Sequence, residues 1–320
     1  MQNTSRNILL DILKIIAAIL IIAVHCGFLF DYDKMAYHVT CNGWFRIPIP
    51  FFFCINGFFL FGVFQNNRIK TWAKRVGVLY TIWMLIFVYF WIIPVHENPI
   101  KTIPTLLFGF NHLWYLAALL LGGLLLYLIR KHSNTTLLVI AITLYLIGYT
   151  IQTLSNFAVF NTSPILAKLI DFPPIHRNFL FFALPFLSIG YVIHRTEFHL
   201  KFNKKKAVIL LAISFLLLTA ESLINYYINA NASFNMSISF LLLGPILLIT
   251  SFAFTLHSNI NSKVLSSYSI ALYLIHPLII ILILSFFELK STPLAFLTII
   301  LSGIGSHLLI LLNKKLKYIL

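Results

Sequence analysis

The chain of 320 residues is 60% hydrophobic and only 10% charged, against roughly 25% charged residues in an ordinary soluble domain. Apolar runs of the about 20 residues needed to cross a ~30 Å hydrocarbon core recur along it. These exclude a soluble protein, and their unbroken character excludes a barrel of short alternating strands. The formal net charge of +15 sits mostly in alternate loops, so it reads as membrane orientation and not as a nucleic-acid surface.

The expected fold is an all-α, polytopic transmembrane helical bundle of about ten spans, at 8–30, 44–64, 76–95, 112–130, 135–153, 177–195, 206–228, 236–257, 266–288 and 292–312. It is read as one integral-membrane domain over 1–320 with no appended soluble domain, because the longest intervening segments, 31–43 and 154–176, are too short for one. The first run exceeds a ~7–15-residue signal-peptide core and has no small-residue cleavage site, so it is expected to be retained.

With the N-terminus inside, sixteen Lys and Arg fall on inner segments, from Arg6 through Arg68–Arg75 to Lys317. Six fall outside: Lys34, Arg46, Lys101, Lys168, Arg177 and Lys290. The positive-inside rule then places both termini in the cytoplasm.

The stretch Asp11–His25, DILKIIAAILIIAVH, sets ionisable groups into the first span. At ~100° per residue, Lys14 and His25 return to within about 20° of one face, roughly 16 Å apart along the axis. Asp11 lies one turn before Lys14, and Ala18 falls between Lys14 and His25. Ionisable groups at such depths are expensive and mark a functional face. Glu221, in TAESLINYY, is the carboxylate well inside a later span, and needs a partner for the same reason. His276 precedes Pro277, whose ring removes a backbone hydrogen bond and can kink a span, so His276 reads either as lining a cavity or as ordinary packing. His112, Trp114 and Tyr115 open the fourth span, where rings serve as an interfacial belt or stack on sugar. The three cysteines, Cys26, Cys41 and Cys54, show no metal or disulfide spacing and are expected as free thiols. The sequence has no HExxH, CxxC, Walker or dinucleotide fingerprint, so neither a metal nor a bound cofactor is expected.

Lys14-x10-His25, within LDILKIIAAILIIAVH, resembles the first-helix motif of the acyltransferase-three family, in which a basic residue, usually Arg, precedes a His. IPIPFFFCINGFFLFG (Ile47–Gly62) is similar to that family's Phe-rich "FFF-x-SGF" segment, with Asn56 where Ser is usual. A basic run ending at Arg75, NHLWYLAALL (Asn111–Leu120), PFLSIGYVIHR (Pro185–Arg195) and SSYSIALYLIHPLI (Ser266–Ile279) follow in the family's order. The resemblance covers nearly the whole chain. Two departures stand out: Lys14 keeps the charge but lacks the guanidinium fork, and Asn56 offers an amide where a hydroxyl is usual.

The resemblance implies an O-acyltransferase of the bacterial cytoplasmic (inner) membrane. It would move an acyl group, acetyl first, from acyl-coenzyme A (acetyl-CoA as co-substrate) to a hydroxyl of a lipid-linked or surface glycan. His25 would be the general base, with Lys14 and Glu221 assisting catalysis. Arg75, Asn56, His112, Trp114, Tyr115, His276 and Asp11 would bind substrates, Arg75 at the donor phosphates. Without a soluble esterase-like domain, such a chain finishes transfer alone or hands the acyl group to a separate extracytoplasmic partner. The rival class is a proton-coupled transporter or glycan flippase using the same polar residues, against which stands the missing internal repeat. A non-catalytic membrane sensor is the third.

Overall fold

The structure is a computed structural model and describes residues 7–159, 163, 166, 170–254, 256 and 262–320. Arg6 and Lys168, counted above for orientation, lie outside them. All regular structure among the described residues is helical, because only helices satisfy the backbone of separate segments inside lipid. Among the described residues, seven helical stretches are long and apolar enough to cross a membrane. An eighth is a pair, Ile69–Ile86 and Val88–Glu97, bent by 74°. Two shorter apolar helices, Phe179–Arg195 and Phe240–Ala253, coincide with the expected sixth and eighth spans. The protein is a polytopic all-α membrane protein.

The chain forms two compact units, one built from the chain up to Phe52 and Glu197–Tyr318, the other from Phe53–Thr196. In the first, α1 (Ile8–Cys26) packs on α12 (Ser262–Phe286) and α13 (Ser291–Asn313). Ala18, Ile22 and Cys26 of α1 meet Leu272 and Ile283 of α12 and Leu294 and Ala295 of α13 in one buried cluster. The Asn7 side chain caps α1 by accepting from Leu10 N–H at 3.0 Å, and its Nδ2 donates to Ser251 O at 2.6 Å on α11 (Phe240–Ala253). Gly27, at φ 70°, ends α1 four residues before the expected boundary at 30. Only a residue at ease in the left-handed region closes a helix this way, with Phe28 N–H returning to Ala23 O. Asp31, in the loop that follows, takes Thr292 N–H at 3.1 Å and Thr292 Oγ1–H at 2.6 Å, satisfying donors at the start of α13.

α2 (Lys34–Cys41) packs on α10 (Lys204–Ile228), and α10 on α11. The three cysteines are free and buried.

In the second unit, α3 (Pro48–Gln65) continues past Phe52 and crosses α9 (Leu184–Arg195). A Cβ on Gly57 would lie 2.0 Å from Leu187 O, and one on Gly190 would lie 2.0 Å from Cys54 O. Only glycine at both positions lets the backbones approach this closely. The rings of Phe53, Tyr115, Phe182, Phe186 and Tyr145 fill the space beside the crossing, with Tyr145 on α8 (Asn134–Asn156) and Tyr115 on α7 (Trp114–Ile129).

The third span departs from expectation. Lys70, Lys74 and Arg75 belong to α4 (Ile69–Ile86) and not to a loop before it. The helix then breaks at Phe87, a fully buried ring set against Trp83, Phe90, Phe110 and His112. α5 (Val88–Glu97) carries on from there, followed by the short α6 (Thr102–Phe108).

Candidate active site

The α1 face read from the sequence is assembled against α12 in the first unit. Asp11 is buried, and its Oδ1 accepts from Lys14 Nζ at 2.9 Å. This local i, i+3 pair compensates a charge held inside a span. At the level of Lys14, Ser269 of α12 donates its hydroxyl to Lys14 O at 3.0 Å. Further along, the His25 ring centroid lies 5.1 Å from that of His276, with the planes 53° apart. Lys14 and His25 thus meet Ser269 and His276 in the same sequence order, so α1 and α12 run in the same direction.

His276 is fully buried, and its Nδ1 lies 3.2 Å from Leu272 O, one turn back on α12. A carbonyl only accepts, so Nδ1 carries the proton in that bond and Nε2 keeps its lone pair. Pro277, the next residue, lies inside the helix as expected. His25, by contrast, is an exposed side chain in the last turn of α1. The result is a pair of imidazoles, a buried one on α12 and an accessible one on α1, the helix whose other end holds the Asp11–Lys14 pair.

Glu221 is engaged elsewhere in the first unit. Its Oε1 accepts from Ile238 N–H at 2.7 Å, and its Oε2 from Ser239 N–H at 2.9 Å and Ser239 Oγ–H at 2.6 Å. A carboxylate at a helix N-terminus takes up donors the helix leaves over and complements its dipole. Glu221 therefore anchors the start of α11.

In the second unit, Asn56 Nδ2 donates to the Tyr115 hydroxyl at 2.9 Å. The Tyr115 ring is buried and packs on Phe53 with centroids 4.6 Å apart, as a core ring and not an open platform. His112 is buried in a 3₁₀ turn, edge-on to Phe87 at 5.1 Å. Trp114 is half-buried, with the Arg177 guanidinium 4.8 Å above its ring, a cation–π stack. Arg75 is exposed on α4.

Two features of these surroundings escaped the sequence reading. Ser269 sits seven residues before His276, on the same helical face, and that spacing was the available signal. Arg177 reads in the sequence as an outer charge, and nothing local announces its stack on Trp114.

The fold and the site define a multi-pass membrane protein whose first helix carries an Asp–Lys pair and a histidine set beside a second histidine on α12. The family model described as an acyltransferase domain matches residues 7–312, and the chain belongs to the acyltransferase-three family. It is also similar to two proteins of Enterococcus faecalis named amino-acid racemase. One is 28% identical over 61% of this chain and 30% of that protein, the other 30% identical over 57% and 27%. A serine/alanine racemase of Enterococcus gallinarum is 26% identical over 68% of this chain and 33% of that protein. The chain thus spans about a third of the length of the curated relatives it matches. No solved structure matches.

Proposed function

We propose that this membrane acyltransferase moves an acyl group, acetyl first, from acyl-coenzyme A to a hydroxyl of a lipid-linked or surface glycan, in the bacterial cytoplasmic membrane with both termini inside. The observation that carries the reading is the exposed His25 set beside the buried His276, on the face that also bears the Asp11–Lys14 pair.

In this reaction the acceptor oxygen attacks the thioester carbonyl while His25 takes its proton. The C–S bond then breaks, and the imidazolium returns the proton to the departing thiolate. His276 stands beside His25 as a second imidazole whose tautomer is fixed by Leu272 O, so the proton taken by His25 has a defined neighbour. Lys14, anchored by Asp11, faces the donor side. At roughly 16 Å from His25 along the helix it is too far to touch the same carbonyl. It suits the phosphate-bearing end of the donor. The thioester arm would extend along α1 toward His25. His112, Trp114 and Asn56 are assigned to substrate binding, Trp114 being the accessible ring of the group. Glu221 is assigned the positioning of α11. The chain finishes the transfer itself or passes the acyl group to an extracytoplasmic partner.

The racemase names describe proteins of which only about a third is matched, and the reading takes no activity from them. The test uses membranes with wild-type protein or His25→Ala at matched expression, supplied with acetyl-coenzyme A labelled on the acetyl group. Label in the glycolipid and polysaccharide fraction that vanishes with His25→Ala supports the reading. Label unchanged by the substitution removes His25 from the chemistry. No label with any acyl donor favours a transporter.

A further inference from the structure

A second polar constellation in the first unit lies among α2, the turn that follows it, and the segment between α10 and α11. His38, Asn42 and Arg46 follow one another at four-residue spacing. Asn42 links the other two: its Oδ1 lies 3.3 Å from Arg46 Nη2, and its Nδ2 lies 3.4 Å from His38 Nδ1. A guanidinium only donates, which fixes Oδ1 as the atom turned toward Arg46. The amide nitrogen then donates to His38 Nδ1, so the proton of the neutral imidazole sits on Nε2. That N–H belongs to a residue 1% exposed and has no hydrogen-bond partner among the described residues. The rings of Tyr226 and Phe234 stand steeply inclined to the imidazole at 5.6 and 5.7 Å.

Arg46 is half-buried and spends its donors on neutral oxygens alone. Nε reaches Cys41 O at 2.9 Å, Nη1 bonds Asn235 Oδ1, and Nη2 reaches Ser233 Oγ at 3.3 Å besides Asn42. Among the described residues no carboxylate pairs with it. Charges removed from water are ordinarily paired, since neutral acceptors leave the net charge uncompensated. Ser233 is exposed, so the guanidinium end of the cluster opens to the surface there.

We propose that Arg46, Asn42 and His38, with Asn235 and Ser233 at the rim, form an anion site that takes a phosphate group entering past Ser233. The guanidinium supplies the charge, and its Nη2, held only at 3.3 Å by Asn42 and Ser233, supplies the donors that turn to an incoming phosphate, while His38 holds Asn42 in place through Nδ1. This site is independent of the acyl-transfer reading. A phosphate reaches it either as a lipid headgroup or on a soluble molecule, and the experiment separates the two.

The full chain is purified in maltoside micelles free of phospholipid, and its thermal unfolding is followed at constant ionic strength. One arm adds inorganic phosphate, and the other adds phosphatidylglycerol to the micelles. A saturable rise in Tm is expected, since a ligand that binds only the folded state stabilises it by mass action. A rise with phosphate identifies a soluble source, and a rise with the lipid alone identifies a headgroup. Arg46→Gln abolishes the rise, while Lys34→Gln, which removes a cation bonded to Asn231, leaves it intact. His38→Phe keeps an aromatic ring but removes the Nδ1 that holds Asn42, and weakens apparent affinity roughly tenfold or more. If Arg46→Gln does not fold, Arg46→Lys keeps the charge and loses the fork, with binding again about tenfold weaker or worse. No saturable rise with either probe, or an equal rise in the Arg46 and His38 variants, overturns the proposal. The cluster is then a closed network with the His38 N–H resting on the neighbouring rings.

Discussion

Gly57 on α3 and Gly190 on α9 meet at a helix crossing where each would drive a Cβ to 2.0 Å from a carbonyl oxygen of the other helix, Leu187 O for Gly57 and Cys54 O for Gly190. Both glycines belong to segments that carried the family resemblance, FFFCINGFF and PFLSIGYVIH. The requirement for glycine at both positions thus has a steric cause. Because the obstructing atoms are backbone, no side-chain rotation relieves the clash. Gly57→Ala and Gly190→Ala are each expected to cost about 1–3 kcal/mol or more, read as a lower Tm and reduced yield of folded protein in detergent. A variant with wild-type Tm would show that the helices separate at little cost.

The histidine pair yields a kinetic expectation. His25→Ala should lower acyl transfer by the ~10²–10⁴-fold typical of a lost general base, with the folded amount unchanged because His25 is exposed. His276→Ala should lower it less, by about 10–100-fold, and should also lower Tm, since a fully buried side chain bonded to Leu272 O is removed. Labelled-acetyl transfer normalised to folded protein separates the two effects. Equal activity of His276→Ala and wild type would leave the second imidazole with packing alone.

Glu221 is expected to behave as an anchor. All three of its partners donate, so Glu221→Gln turns one acceptor oxygen into an NH₂ facing donors. The expected cost is about 1–3 kcal/mol of stability, with acyl transfer per folded molecule within about threefold of wild type by the same reasoning. A collapse of activity at unchanged Tm would instead return Glu221 to the chemistry.

His176 gives the pH dependence. It lies just before the span that begins at Phe179 and is buried, and neither ring nitrogen has a partner among the described residues. Burial, reinforced by the adjacent Arg177 charge, lowers its pKa from the ordinary 6.5 to about 4. The unfolded chain therefore binds the proton more readily, and the folded state loses stability as pH falls from about 6.5 toward 4. The full loss is roughly 2–4 kcal/mol. Wild type should show a steeper fall of Tm between pH 7 and pH 4 than His176→Phe, in parallel melts on the purified chain. Identical slopes would show that His176 is hydrated in the folded state.

Much of this arrangement was legible in the sequence. The all-α membrane fold follows from apolar runs long enough to cross lipid, and helical periodicity placed Asp11, Lys14, Ala18 and His25 on one face. Intrahelical relations of this kind depend only on 1.5 Å and 100° per residue, values every helix shares. The Asp11–Lys14 pair was within reach for that reason.

What lay beyond the sequence depends on which helix packs on which. That His276, rather than any other buried polar group, stands 5.1 Å from His25 is decided by the packing of α12 on α1, far apart in sequence. The partners of Glu221 lie 17 and 18 residues away across a loop with no periodicity to read. The bend at Phe87 falls inside a continuous apolar run, where composition is the same on both sides of the break. Arg46, Asn42 and Asn235 looked like ordinary loop residues until the fold brought 233–235 over the turn after α2. Local chemistry and helical geometry are written in each segment, whereas the meeting of two segments is set by the shape of both faces at once, and only the tertiary structure holds both.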